Sequence, residues 1–324
     1  VIKARGLARQ FKVRGHTIDA VQGVDIDIER GELVGFLGPN GAGKSTTLRM
    51  LTTLLRPTAG DAVVAGCDLL SDPAGVRKQI GYVAQGHGAG DDQRVLDELV
   101  LQGRLYGLSA AASRQRTDRV VDQFDLTAVT DRLAGKLSGG QKRRLDIAMG
   151  VLHNPGLLFL DEPSTGLDPQ SRSNLWEHIR ALRESGTTIF LTTHYLDEAD
   201  ALCDRILVID HGRIVAEGTP ETLKGNVAGD LVTLTTGAPA ETAAVASKIE
   251  GAQELQVTGD TVRFRVPQGD TVLPVLLREL DQAGALLQSV QVQRPTLDDV
   301  FLTLTGRTLR EAEAAVPHYG GFGA

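Results

Sequence analysis

The sequence predicts an α/β fold, a parallel sheet covered by helices, followed by a smaller α+β unit. Three observations lead there. Short and almost continuous apolar runs at 33–37, 157–160, 188–191 and 206–209 suit strands buried on both faces, as in a parallel sheet. The first of them runs straight into Gly38-Pro39-Asn40-Gly41-Ala42-Gly43-Lys44-Ser45, which has the G-x-x-x-x-G-K-[ST] spacing of a phosphate-binding loop between a strand and a helix. Beyond Asp230 the pattern changes to short alternating strands interleaved with two helical stretches.

Taken in chain order, the loop comes first. Its glycines let backbone N–H groups turn inward around a phosphate, and the helical run from Thr46 adds its dipole. Lys44 is placed to reach the β- and γ-phosphates of a nucleotide, and Ser45 to ligate Mg²⁺. Residues 91–134 read as polar, helical and strandless, with the Leu96, Leu99, Val100 spacing of an amphipathic helix; this is a helical insert beside the sheet. The run Leu157-Leu158-Phe159-Leu160-Asp161-Glu162 ends a buried strand in two carboxylates, costly there unless something compensates them. Asp161 sits where an aspartate holds the Mg²⁺ coordination sphere, and Glu162 is the natural base or orienter for an attacking water.

The second unit reads as a strand over 231–235, an Ala-rich helix over 239–250, and a hairpin of 255–257 with 262–266 turning at Gly259-Asp260. A helix carrying Val272, Leu276 and Leu280 follows, with Asp270 as expected cap and Gly284 as stop, then a strand holding Val290 and Val292. The order β-α-β-β-α-β is that of a small ferredoxin-like domain. A final helix over 296–309 is expected to bury Leu297, Val300, Phe301 and Leu304, ahead of a Gly-rich flexible tail. The expected domains are therefore 1–224, with the insert at about 86–137, then 225–310, and a tail over 311–324.

Composition narrows the partners. With 34 Lys+Arg against 41 Asp+Glu, a net charge of −7, the 324 residues present no basic field for a polyphosphate backbone. Aromatics at 4% leave little for base stacking, so no nucleic-acid partner is expected. Cys67 and Cys203 cannot make a disulfide framework and lack metal-ligand spacing. No apolar run reaches the roughly 18–20 residues of a membrane span, and the expectation is a soluble, intracellular chain without a signal peptide.

Leu137-Ser138-Gly139-Gly140-Gln141 is the signature sequence of the ATP-binding cassette (ABC) ATPases, which this chain resembles across residues 1–224. The resemblance implies a P-loop (RecA-like) ABC nucleotide-binding domain with a helical insert, using ATP and Mg²⁺. Phe11 falls where the family stacks an aromatic on adenine. Residues 38–45 and Thr46 match the phosphate cradle, Gln85 the glutamine that ligates Mg²⁺ and senses the γ-phosphate, Asp168 the D-loop, and His194 the switch histidine. The signature residues Ser138, Gly139, Gly140 and Gln141 would cover the γ-phosphate held by a second copy of the chain, in a head-to-tail dimer. Separate transmembrane permease subunits would dock on the helical insert and the Gln85 loop, placing the chain at the cytoplasmic side of the plasma membrane as a peripheral protein. The loop Gly86-His87-Gly88-Ala89-Gly90 departs from the commoner pattern and reads as a flexible hinge, with His87 a solvent-exposed bystander.

Two segments point to a subfamily. Residues 294–302, Arg-Pro-Thr-Leu-Asp-Asp-Val-Phe-Leu, and Arg104-Leu105-Tyr106-Gly107-Leu108 resemble motifs of the daunorubicin-resistance-type drug-export ATPases. The implied function is the ATP-hydrolysing subunit of a bacterial ABC transporter that exports drugs or lipophilic compounds. The alternative is a non-transport ABC ATPase of translation or DNA. DNA-associated members carry a long coiled coil between the Lys44-type and Ser138-type motifs, and no sustained heptads occur there. Translation factors resemble two fused cassettes, and this chain has one. For the second unit, with aromatics only at Phe264 and Phe301, a regulatory or dimer-stabilising role is expected in preference to a ligand pocket.

Overall fold

In the computed structural model, residues 1–324 are described except 14, 226–228, 307, 309, 310 and 312–324. The chain runs β1 (Ile2–Val13), β2 (His16–Ile28), β3 (Leu33–Leu37), α1 (Lys44–Leu51), β4 (Ala59–Val64), β5 (Cys67–Asp68), α2 (Pro73–Gln79), β6 (Ile80–Val83), α3 (Val95–Leu105), α4 (Ala110–Gln123), α5 (Gly139–Val151), β7 (Leu157–Asp161), α6 (Pro169–Glu184), β8 (Thr188–Thr193), α7 (Leu196–Leu202), β9 (Arg205–Asp210) and β10 (Arg213–Gly218). Then come α8 (Pro220–Gly225), β11 (Asp230–Thr236), α9 (Pro239–Ala246), β12 (Gln253–Thr258), β13 (Thr261–Val266), α10 (Gly269–Gln282), β14 (Leu287–Gln293) and α11 (Leu297–Thr305). The described residues divide into two compact units, Val1–Pro220 and 221–308.

In the first unit, a six-stranded sheet has the order β10-β9-β3-β8-β7-β6. Its strands β9, β3, β8, β7 and β6 are mutually parallel, and β10 closes one edge antiparallel. Every residue of β3, β7 and β8 is buried, which is why these segments read as continuous apolar runs with no alternation. Phe36, Phe159 and Phe190 meet between the strands, Phe190 lying 5.5 and 5.8 Å from the other two ring centroids. A second, antiparallel sheet, β2-β1-β4-β5, shares that core. Because β3, β7 and β8 run in parallel, their carboxyl ends and the loops that follow them gather at one end of the sheet, where open α/β sheets bind ligands. The insert is the α3–α4 pair with short 3-10 turns after it.

The second unit is an antiparallel sheet, β12-β13-β11-β14, with α9 and α10 packed on one core that includes Val232, Leu234, Phe264, Leu276 and Leu280. Four local expectations need correction. Asp270 does not cap α10: the cap position is Gln268, with no side-chain cap bond, and Asp270 instead accepts from Arg294 Nη2 at 2.9 Å. Helix α9 ends at Ala246 rather than at 250. Helix α11 ends at Thr305, where Gly306 turns left-handed (φ 74°) and stops it. In α11, Leu297, Val300 and Phe301 are buried as expected, but Leu304, on the same face one turn further along the helix, is exposed. The expected continuation of that helix to 309 and the tail over 311–324 lie outside the described residues, apart from Thr308 and Glu311. Cys67 and Cys203 are both free. Among the described residues no helix is long and apolar enough to cross a membrane.

Candidate functional site

The loop after β3 opens at Gly38 and closes at Gly43, which caps α1 with φ 107°. A Cβ at Gly43 would stand 2.6 Å from the Ala20 carbonyl oxygen, so both the backbone angle and the neighbour demand glycine there. No side chain caps α1, and its leading N–H groups face the loop as an anion site. Lys44 is buried and folds back over the loop, donating from Nζ to the carbonyls of Gly38 at 2.7 Å and Pro39 at 3.2 Å. Thr46, the second residue after Lys44, is half-buried on the same helix.

Opposite the loop stand the two carboxylates that end β7. Asp161 Oδ1 accepts from Ser45 Oγ at 3.2 Å and from Thr192 Oγ1 at 2.6 Å. The following residue, Glu162, takes a left-handed backbone (φ 45°), held by its own N–H donating to Thr192. That bend aims the Glu162 side chain at three groups from three other segments. Lys44 Nζ lies 3.4 Å from Oε1, Gln85 Nε2 donates to Oε2 at 3.0 Å, and His194 Nδ1 stands 3.3 Å from Oε2. Thr165 Oγ1 adds a bond at 3.3 Å. Burial alone would push this carboxyl up, but the His194 imidazole and the Lys44 charge outweigh it and hold it below the ordinary glutamate range. The result is a buried, ionised carboxylate beside a cation, an amide and an imidazole.

Lys44, Ser45, Gln85, Asp161, Glu162 and His194 are thus joined in one cluster of contacts. Ser138, Gly139, Gly140 and Gln141 form the N-terminus of α5, where Ser138 and Gln141 close a reciprocal capping box. A Cβ on Gly140 would meet Ser171 Oγ of α6 at 2.8 Å. Asp168 caps α6, accepting from the Ser171 N–H at 2.9 Å. Phe11 lies on β1 with the Arg9 guanidinium 4.7 Å over its ring. These contacts of Phe11, Ser138, Gly140, Gln141 and Asp168 are made with residues outside the Lys44–Glu162 cluster.

Sequence reasoning passed over two residues of α5. Arg143 is buried and donates to three backbone carbonyls: Ala84 at 2.6 Å, Pro163 at 2.8 Å and Asp161 at 3.0 Å. Asp146, one turn on and also buried, accepts from His87 Nδ1 at 2.7 Å and from the Gly88 N–H at 2.9 Å. His87, expected to be a bystander, is therefore a tethered residue. The only local signal was a charged pair at i, i+3 on a helix whose neighbouring positions are apolar.

Similarity to known proteins follows the same division of the chain. Residues 21–165 match the family model described as ABC transporter, and residues 218–305 match the ATP-binding protein DrrA1-3-like, C-terminal domain. The daunorubicin/doxorubicin resistance ATP-binding protein DrrA of Streptomyces peucetius is 45% identical over 292 residues, 89% of this chain and 88% of that protein. The linearmycin resistance ATP-binding protein LnrL of Bacillus subtilis is 35% identical over 90% of this chain and 95% of its own length. Among solved structures, the dimeric post-hydrolysis state of the ATP-binding cassette MJ0796 bound to ADP and phosphate is 25% identical with a TM-score of 0.63, covering 68% of this chain and 98% of that one.

Proposed function

This chain belongs to the ABC transporter family, in the branch of the daunorubicin-resistance ATP-binding proteins, and from that premise we propose that it powers export of an antibiotic or similar lipophilic compound through separate membrane subunits. It is an ABC-type ATPase: it binds ATP and hydrolyses it. The observation that carries the reading is the convergence of Lys44, Gln85 and His194 on the Glu162 carboxylate.

In this reading the loop 38–45 and Thr46 cradle the triphosphate and Lys44 supports its β- and γ-phosphates. Phe11 stacks on the adenine. Ser45, Asp161 and Gln85 bring a hydroxyl, a carboxylate and an amide, oxygen donors suited to a hard cation, and would hold a Mg²⁺ ion that neutralises charge on the phosphates. Glu162, kept ionised, orients a water and takes its proton; His194 touches the γ-phosphate. The water oxygen attacks the γ-phosphorus while its proton passes to the Glu162 carboxylate.

ABC cassettes dimerise, as the dimeric relatives of known structure do. For this chain the proposed dimer is head-to-tail, with Ser138, Gly139, Gly140 and Gln141 of one copy completing the site at Lys44 of the other and Asp168 lying between the two sites. Closure over ATP and reopening after hydrolysis is a population shift driven by the charge that leaves. The permease is proposed to dock on the α3–α4 insert and the Gln85 loop, with the chain peripheral at the cytoplasmic face. The domains are taken as 1–224 and 225–310. The sheet order β12-β13-β11-β14, with both helices packed on one core, supports a ferredoxin-like second domain, and a regulatory or dimer-stabilising role suits it.

The test is transport. Co-expressed with a polytopic membrane protein found to copurify with it, the chain is expected to lower cellular accumulation of an anthracycline such as daunorubicin. Lys44→Ala is expected to abolish the effect. Unchanged accumulation with an active ATPase would reject the export reading.

A further inference from the structure

The segment that carries Gln85 is held on both sides by one helix. Before Gln85, the Ala84 carbonyl accepts from Arg143 Nη1 at 2.6 Å. After it, His87 and the Gly88 N–H both bond the Asp146 carboxylate, at 2.7 and 2.9 Å. Arg143 and Asp146 lie one turn apart on α5, with Arg143 Nη1 4.0 Å from Asp146 Oδ2 and both side chains buried. Arg143 does more than hold the loop. Its other two donors end on Pro163 and Asp161, which flank Glu162. A guanidinium presents its five donors in a rigid fork, so the three carbonyls are set relative to one another by one planar group. The N-terminus of that helix is the Ser138 loop.

We propose that the buried Arg143–Asp146 pair is a positioning clamp, which makes the Gln85 segment, the Asp161–Glu162 turn and the Ser138 helix move as one body. The proposal rests on the ATPase reading above and deepens it by naming how Gln85 is held at the γ-phosphate side of the site. A shift of α5, whether from a partner copy at Ser138 or from a load on the insert, is then transmitted to Gln85 through Asp146 and Ala84 without a hinge between them. Two consecutive residues, His87 and Gly88, thereby reach one carboxylate. Arg143 and Asp146 bond the backbone and side chains that flank Gln85 and Glu162, so both act through those two residues.

The experiment uses the full chain. Amide hydrogen exchange at Gly88, Mg²⁺-dependent ATPase turnover, and ATP affinity measured without Mg²⁺ are read in Asp146→Ala, Asp146→Asn, His87→Ala and the double variant D146A/H87A. Asp146→Ala is expected to speed Gly88 exchange at least about tenfold. It should lower kcat about ten- to a hundredfold, as loss of alignment does, while ATP affinity stays within about twofold. Asn, which keeps an acceptor, should recover most of kcat. His87→Ala should move exchange and kcat in the same direction by less. The double variant should be no worse than Asp146→Ala, because both changes cut the same tie. Wild-type Gly88 exchange and kcat in these variants, additive losses in the double variant, or ATP affinity falling in step with kcat would each overturn the clamp. If Asp146→Ala does not fold, His87→Ala, at a half-exposed side chain, and Asp146→Asn decide the matter. Failure of the ATPase reading is seen separately, as absence of turnover in the wild-type chain.

Discussion

Lys44 Nζ stands 3.4 Å from Glu162 Oε1, an ion pair in which both side chains are almost wholly buried. The same ammonium is the group that would meet the nucleotide phosphates, so carboxylate and phosphate compete for it. Glu162→Gln removes the competitor and the proposed base together. ATP affinity should hold or rise, and hydrolysis should fall on the order of 10²–10⁴-fold. Turnover by phosphate release and binding by titration with a fluorescent nucleotide check both halves, and turnover near wild type would remove Glu162 from the role of base.

Much of this site was legible because its parts are local. The cradle from Gly38 to Ser45 and the Asp161-Glu162 pair are contiguous stretches following buried strands, and a parallel sheet brings the ends of such strands together without further information. The clamp was not legible: Arg143 reaches carbonyls on two other segments, and Asp146 holds a histidine 59 residues away in sequence. Backbone acceptors leave no trace in residue identity, so a buried arginine looks like any surface charge until the fold is known. Leu304 failed for a smaller reason. Helical periodicity places a stripe, and it does not say which member of the stripe runs off the edge of the core.

Gly35 lies in the middle of β3, where a Cβ would stand 2.5 Å from Cys203 Sγ and 3.4 Å from Cys203 Cβ. Cys203 is buried at the end of α7, and neither element can retreat without disturbing the sheet. Gly35→Ala should therefore cost about 1–3 kcal/mol by overpacking, read from the urea midpoint. Adding Cys203→Ala removes the sulfur and leaves a contact of ordinary length. The double variant should recover most of the loss, and equal instability of G35A and G35A/C203A would show that the strain lies elsewhere.

Glu198 gives a pH signature. Its side chain is fully buried and accepts at Oε1 from Ser164 Oγ and from Trp176 Nε1. Burial pushes its carboxyl above the ordinary glutamate range, more than these donors pull it down. A folded-state value above the unfolded one means that the native protein keeps a proton the unfolded chain releases. That contribution is complete below the unfolded value and is lost as pH rises through the folded one. Gln keeps the carbonyl acceptor and does not titrate. The melting temperature of Glu198→Gln minus that of the wild type should rise as pH increases from the ordinary glutamate range toward neutrality. A difference that stays flat with pH, or falls, would show that Glu198 is ionised in the fold.

The head-to-tail dimer predicts that two dead chains make a live site. Lys44→Ala lacks the phosphate contact of its own site, and Ser138→Ala lacks the hydroxyl it would lend to the partner's. Ser138 also caps α5 through the Gln141 N–H, so the alanine variant gives up about 1 kcal/mol of helix stability and its folding is checked by melting. Each variant alone should be close to inactive, with ATP binding retained in Ser138→Ala. In a mixed dimer one site combines both defects, and the other combines an intact Lys44 with an intact Ser138. Random mixing makes half the dimers mixed with one good site in two, so an equimolar mixture should recover about a quarter of wild-type turnover if the two sites act independently. A site built wholly within one chain gains nothing from mixing, so activity that stays at the level of the separate variants would refute the shared site.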